Sequence, residues 1–123
     1  MELANPGRGL LLVMMEPEPG YEDELNAWYD EEHIPERLSC PGFVTGRRFR
    51  LLEGAPEGQP RYLALYELES PDVLSSEEYL AMVPPSRWWE RLLPHVRVTR
   101  NVYTEITKRL PDDFVLHVER PGR

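Results

Sequence analysis

Residues 28–35 read Trp-Tyr-Asp-Glu-Glu-His-Ile-Pro and gather the groups of this chain best suited to chemistry. Two aromatics, three carboxylates and one histidine fall within six residues, and a proline follows two later. His33 is the first candidate, because an imidazole gives or takes a proton near neutral pH. Near the C-terminal end of a helix, the dipole favours its cationic form. Tyr29 at i−4 and Glu36 at i+3 become its neighbours if the helix runs past Pro35. Pro35 also frees the carbonyl of Glu31, an acceptor that could orient the ring. The plainer reading is a histidine that only caps or packs the helix end. Trp28 and Tyr29 point about 100° apart, so one enters the core and the other flanks a pocket or a subunit seam. Trp28 suits the core; Tyr29 suits a polar role, since a buried hydroxyl wants a partner.

Further along, the candidates for binding are fewer. Tyr62 and Tyr66 share one face of a strand: if that face meets the helices, both hydroxyls reach a cavity, and otherwise they face a partner subunit. Asn101 and Tyr103 share a face of the last strand with the same ambiguity. Arg47 and Arg48 point to opposite faces, so at most one enters a given cavity; Arg47 is carried as the substrate-binding candidate. A buried arginine suits a carboxylate or enolate, because its fork binds two oxygens at once; a salt bridge to one of the many carboxylates is the plainer alternative. Trp88, in the run Ser-Arg-Trp-Trp-Glu (86–90), is a candidate lid residue, or else part of a helix that packs one tryptophan inward. No HExxH, paired Cys-X-X-Cys, glycine-rich phosphate loop or Gly-X-Ser-X-Gly is present, so no metal and no cofactor is expected. Glu32 and His33 are adjacent and diverge on a helix, which makes a poor ligand pair.

These residues need elements to hold them. The chain has 123 residues with 14 Lys and Arg against 22 Asp and Glu, a net charge of −8. That length suits one domain burying roughly two-thirds of its unfolded surface, expected over residues 1–110 with a tail at 111–123. The negative field repels phosphate, which argues against nucleic acid. Cys40 is a lone cysteine, as in a reducing cytoplasm. The apolar run at 10–15 is too short to span a membrane. "GLLLVMME" (9–16) reads as a strand buried on both faces, and an acidic first turn at 22–24 opens a helix. Residues 43–52 alternate as a second strand, with Phe43, Thr45, Arg47 and Phe49 on one face. Residues 61–69 form a third, in a hairpin with the second. Ser70 and Pro71 open a second helix that breaks near Ser75-Ser76 and resumes to Met82. A short helix spans 86–93 and a last strand 97–106.

The order β-α-β-β-α-β is the α+β, ferredoxin-like plan: a four-stranded antiparallel sheet with helices on one side. The first strand is too apolar to leave the other side in water. A second copy packing sheet to sheet, a dimeric α/β barrel, covers it.

"WYDEEHIPERLSCPGF" (28–43) resembles the helix-to-strand segment of the dimeric α/β-barrel superfamily, especially its EthD-like branch. The matching positions are Trp28, Tyr29, His33, Pro35, Pro41 and Gly42. The resemblance implies a homodimer with a pocket in each subunit between helices and sheet. It implies a function among lactone isomerases, polyketide cyclases and cofactor-free monooxygenases. On this reading His33 and Tyr29 are catalytic and move a proton on a hydrophobic, oxygenated small molecule. Trp28, Arg47, Tyr62, Tyr66, Trp88 and Asn101 line its pocket. Two alternatives stay open: a non-catalytic small-molecule binder, and a haem-handling protein with His33, His95 or His117 on iron.

Overall fold

The computed structural model describes residues 7–53 and 57–108. The apolar run becomes β1 (Gly9–Pro17), and it lies inside the sheet. Strands β2 (Phe43–Arg50), β3 (Tyr62–Leu68) and β4 (Val96–Thr104) join it in the order β2-β3-β1-β4, every pair antiparallel. This is the ferredoxin-like order expected from the sequence. The β1 burial alternates, against the expectation of two buried faces: Leu11, Val13 and Met15 are buried under the helices, while Leu10, Leu12 and Met14 are half-exposed on the open face. In register with the buried set are Tyr66, Ala64 and Tyr62 of β3, so the tyrosine face meets the helices.

The second strand departs from simple alternation. Phe43 pairs with Leu68 but Thr45 pairs with Glu67, so one residue is inserted between them. Such a bulge reverses the parity of everything after it. Phe43 is therefore buried beneath the helices, whereas Thr45, Arg47 and Phe49 lie on the open face, opposite Glu67, Leu65 and Leu63. Gly46 and Arg48 take the helix side, opposite Tyr66 and Ala64. Gly42, just before the bulge, has φ +94°, and a β-carbon there would strike both γ-methyls of Val73. Valine's branched side chain has little freedom to yield. Gly42→Ala should destabilise the fold by about 2–4 kcal/mol, backbone strain and overpacking together, read as a lowered urea midpoint with unchanged slope.

The helix layer comes in short pieces. α1 (Glu22–Trp28) passes into one wide turn over Tyr29–His33, closed by the Ile34 amide on the Tyr29 carbonyl, and then into α2 (Ile34–Leu38). The helix thus does not stop at Pro35. It widens one turn earlier, a known response to a missing donor in the ladder. The second crossover begins with a 3₁₀ turn, Pro71–Ser75, rather than the expected helix. Ser76 then caps α3 (Glu77–Met82), and Ser86 caps α4 (Arg87–Leu92), each hydroxyl accepting an amide at 3.1 Å. A final 3₁₀ turn, Leu93–His95, leads into β4. No helix among the described residues is long and apolar enough to cross a membrane. The tail expected at 111–123, with His117, lies outside the described residues.

Candidate active site

A half-open cleft of about 220 Å³ lies between the widened turn of the first helix and the segment joining α3 to α4. Trp28, Glu32, His33 and Arg37 form one wall; Pro84, Pro85, Ser86 and Trp89 form much of the other. The wide turn sets the geometry by keeping His33 on the same side as Trp28. Trp28 stacks on His33 at 4.3 Å between ring centroids and on Trp89 at 4.2 Å, so its indole is sandwiched between them. Its Nε1 donates to Glu32 Oε2 at 2.6 Å. Ser86 Oγ donates to the same oxygen, also at 2.6 Å, while accepting the Trp89 amide. One cap residue thereby starts α4 and pins a carboxylate in the cleft. Arg37 pairs with Glu36 at 2.7 Å and lies 5.5 Å from the Tyr79 ring.

His33 is held by rings rather than by hydrogen bonds. Tyr29 and Tyr66 present to it at steep angles, 5.3 and 6.3 Å away, and neither ring nitrogen bonds to a described residue. The Glu31 carbonyl plays no part in orienting it. Burial first, and the Arg37 charge second, push its pKa down to about 3. Burial thus opposes the cationic form that the helix end favours: the dipole is worth at most about 2 kcal/mol, and desolvation outweighs it. Tyr29 and Tyr66 are both buried, and burial raises the pKa of each hydroxyl. Tyr29 donates to Met15 Sδ at 3.2 Å, a weak acceptor, and the Tyr66 hydroxyl has no partner among the described residues.

Of the residues expected in the site, His33 and Trp28 line the cleft, and Tyr29 and Tyr66 stand against His33 from the sheet side. The cleft itself is walled by helical segments and loop, with no strand residue, rather than lying between helices and sheet. Tyr62 points to the helix side but bonds to Glu22. Arg47 and Asn101 are on the open face of the sheet, Asn101 opposite Leu12, so neither reaches the cleft. The bulge explains the first: it puts Arg48 inside instead. Trp88 is partly buried against the core, and Trp89 lines the cleft in its place. Arg37 and Ser86 are not among the residues expected in the site, although Ser86 precedes a helix in the manner of a cap. Glu32, weighed from the sequence only as a metal ligand, stands four residues after Trp28 and bonds to it. Among the described residues no group of three or more His, Cys, Asp or Glu could hold a metal ion.

Strand order and element order together define an α+β protein of ferredoxin-like fold. Solved structures agree. An EthD-family protein from Bacillus halodurans C-125 aligns with a TM-score of 0.52 at 14% identity, over 76% of this chain and 96% of that one. SnoaB, a cofactor-independent oxygenase from Streptomyces nogalater, aligns at 0.54 and 13%, over 86% and 99%. A dimeric ferredoxin-like protein from an uncultured marine organism aligns at 0.57 and 15%, over 85% and 93%. At such identities the likeness is one of fold. The chain belongs to the family described as domain of unknown function DUF4286, whose model matches residues 10–109. Comparison with curated proteins returned no match.

Proposed function

We propose that this protein is a cofactor-independent enzyme in which His33 transfers a proton on a small, hydrophobic, oxygenated substrate held in the cleft. One observation carries the reading: a half-buried imidazole on the cleft wall, stacked on Trp28 and without a hydrogen bond to any described residue. Burial lowers its pKa and so favours the neutral ring. Such a ring offers both a lone pair and an N–H. In the empty cleft it is a weak base. Deprotonating carbon beside a carbonyl creates an enolate, and that charge next to the ring favours imidazolium. Basicity thus grows as the transition state forms, where it accelerates the reaction. Isomerisation, cyclisation and oxygenation all share this first step. Trp28 and Tyr29 fix the ring plane, and Glu32 adds a fixed carboxylate. The cleft is smaller than the roughly 300–1,000 Å³ pockets that hold drug-sized ligands, so it suits a compact substrate and does not fit a haem.

The weak basicity of the resting ring equally favours a non-catalytic binder, and one experiment separates the two. With 2-tetralone in deuterated buffer at neutral pH, the protein should accelerate exchange of the protons next to the carbonyl, followed by proton NMR. A rise in melting temperature with exchange at the buffer rate supports the binder; neither effect removes this substrate class.

We further propose a cytoplasmic homodimer, with residues 1–110 as its single domain. The lone cysteine, Cys40, is a free buried thiol, which suits a reducing compartment. The open sheet face carries Leu10, Leu12, Met14, Leu63 and Leu65 at its centre, with Arg47, Asn101 and Tyr103 toward its flanks. Two such faces packed about 10 Å apart would bury that centre. Light scattering should report twice the mass of one chain; a single-chain mass would refute the pairing.

A further inference from the structure

Among the described residues, every half-buried arginine but one meets a carboxylate. Arg61 binds Glu16 at 2.7 Å and Glu22 at 3.0 Å, Arg37 binds Glu36, and Arg8 meets Glu67 at 3.4 Å. Arg48 is different. It makes no ion pair with any described residue, and its protein hydrogen bond runs from Nη1 to a neutral amide, Asn26 Oδ1, at 2.8 Å. Nε and Nη2 are buried with no acceptor among the described residues. The guanidinium lies 4.1 Å from the centre of the Tyr29 ring and 5.3 Å from that of Tyr62, which eases its desolvation but gives neither nitrogen an acceptor.

A buried cation without a counter-charge is unfavourable, and native folds rarely leave buried donors unpaired. The two free donors are adjacent nitrogens of one planar group, spaced to hold both oxygens of a carboxylate. The hydroxyl of Tyr66, a third unpaired buried donor, lies on the same sheet face: Arg48 pairs with Ala64, and Tyr66 is two residues along β3. A groove of about 320 Å³, lined by Asn26, Arg48, Phe49, Arg50 and Tyr62, lies beside this residue and shares no lining residue with the His33 cleft; the Nε and Nη2 atoms themselves are covered. Arg50 adds positive charge at its mouth. The nearest opposing charge on Tyr62, Glu22, is engaged by the Tyr62 hydroxyl and by Arg61.

We propose that this groove is a second binding site, one that takes a small carboxylate on Arg48, whose covered Nε–Nη2 edge turns toward the groove to receive it. Tyr29 lies between the two sites, touching His33 on one side and Arg48 on the other. Benzoate is the probe, titrated by calorimetry against its neutral isostere benzamide. Benzoate should bind saturably and benzamide at least tenfold more weakly. Arg48→Met should weaken benzoate tenfold or more, while His33→Ala leaves it unchanged. Equal binding of the two probes, equal affinity in Arg48→Met, or no saturable benzoate binding would overturn the site. Should Arg48→Met fail to fold, nitrogen–proton spectra of the wild-type protein decide: benzoate must shift the Arg48 Nε–H and Asn26 amide signals, and shifts confined elsewhere overturn the proposal.

Discussion

His33→Ala should lower enzyme-catalysed deuterium exchange into 2-tetralone by about 10²–10⁴-fold, the usual contribution of a positioned acid or base. The fold should survive. The ring's stacking contacts are worth about 0.5–1.5 kcal/mol, and the variant removes a polar ring that the interior leaves without a hydrogen bond. Unchanged circular dichroism and solution mass would accompany the lost activity. A fall of less than about threefold would show that the proton moves through another group, and Glu32 would be the next to replace.

The same ring should govern stability in mild acid. Its folded pKa is about 3, below the ordinary value near 6.5. Between those values the unfolded chain binds more protons than the folded one, so stability is complete above pH 6.5 and declines as pH falls toward 3. Each pH unit below 6.5 removes about 1.4 kcal/mol, or about 2 kcal/mol by pH 5. That is a large share of the roughly 5–15 kcal/mol typical of a domain. Urea unfolding at pH 7 and pH 5 should show this loss in the wild-type protein and little of it in His33→Gln. Equal losses in both would place the ring in water. Glu22, held low chiefly by the Tyr62 hydroxyl, contributes in the same direction only at lower pH, below the ordinary carboxylate range.

The elements were legible where one residue type decides the local outcome. The run 10–15 belongs to a strand inside the sheet because six successive apolar residues suit little else. Ser70, Ser76 and Ser86 mark three helical starts because each hydroxyl accepts an amide that would otherwise be unpaired. Alternation failed at one place, and its failure spread. Phe43 looks like the buried marker of β2, and counting from it sends Arg47 inward. The bulge before Thr45 reverses that parity, and nothing in the local residue types reveals an inserted residue. The tryptophans show a second limit. Trp88 and Trp89 lie in one turn of α4, and which of them faces the first helix depends on where α4 docks, a tertiary matter. The site was half-legible for a related reason. His33 and Trp28 share one helix, so their spacing is local, whereas Ser86 and Trp89 reach them from more than fifty residues away. For the His33 pKa, the dipole is visible in sequence, whereas the burial that opposes it depends on tertiary packing.

The most direct test is an NMR titration of the His33 ring, following its carbon and nitrogen shifts from pH 8 downward. A half-buried, uncommitted imidazole held low by desolvation should stay neutral through pH 5 and titrate only near pH 3, with its nitrogens shifting when a ligand enters the cleft. A midpoint near 6.5 would put the ring in solvent, and the proton-transfer account would then be wrong.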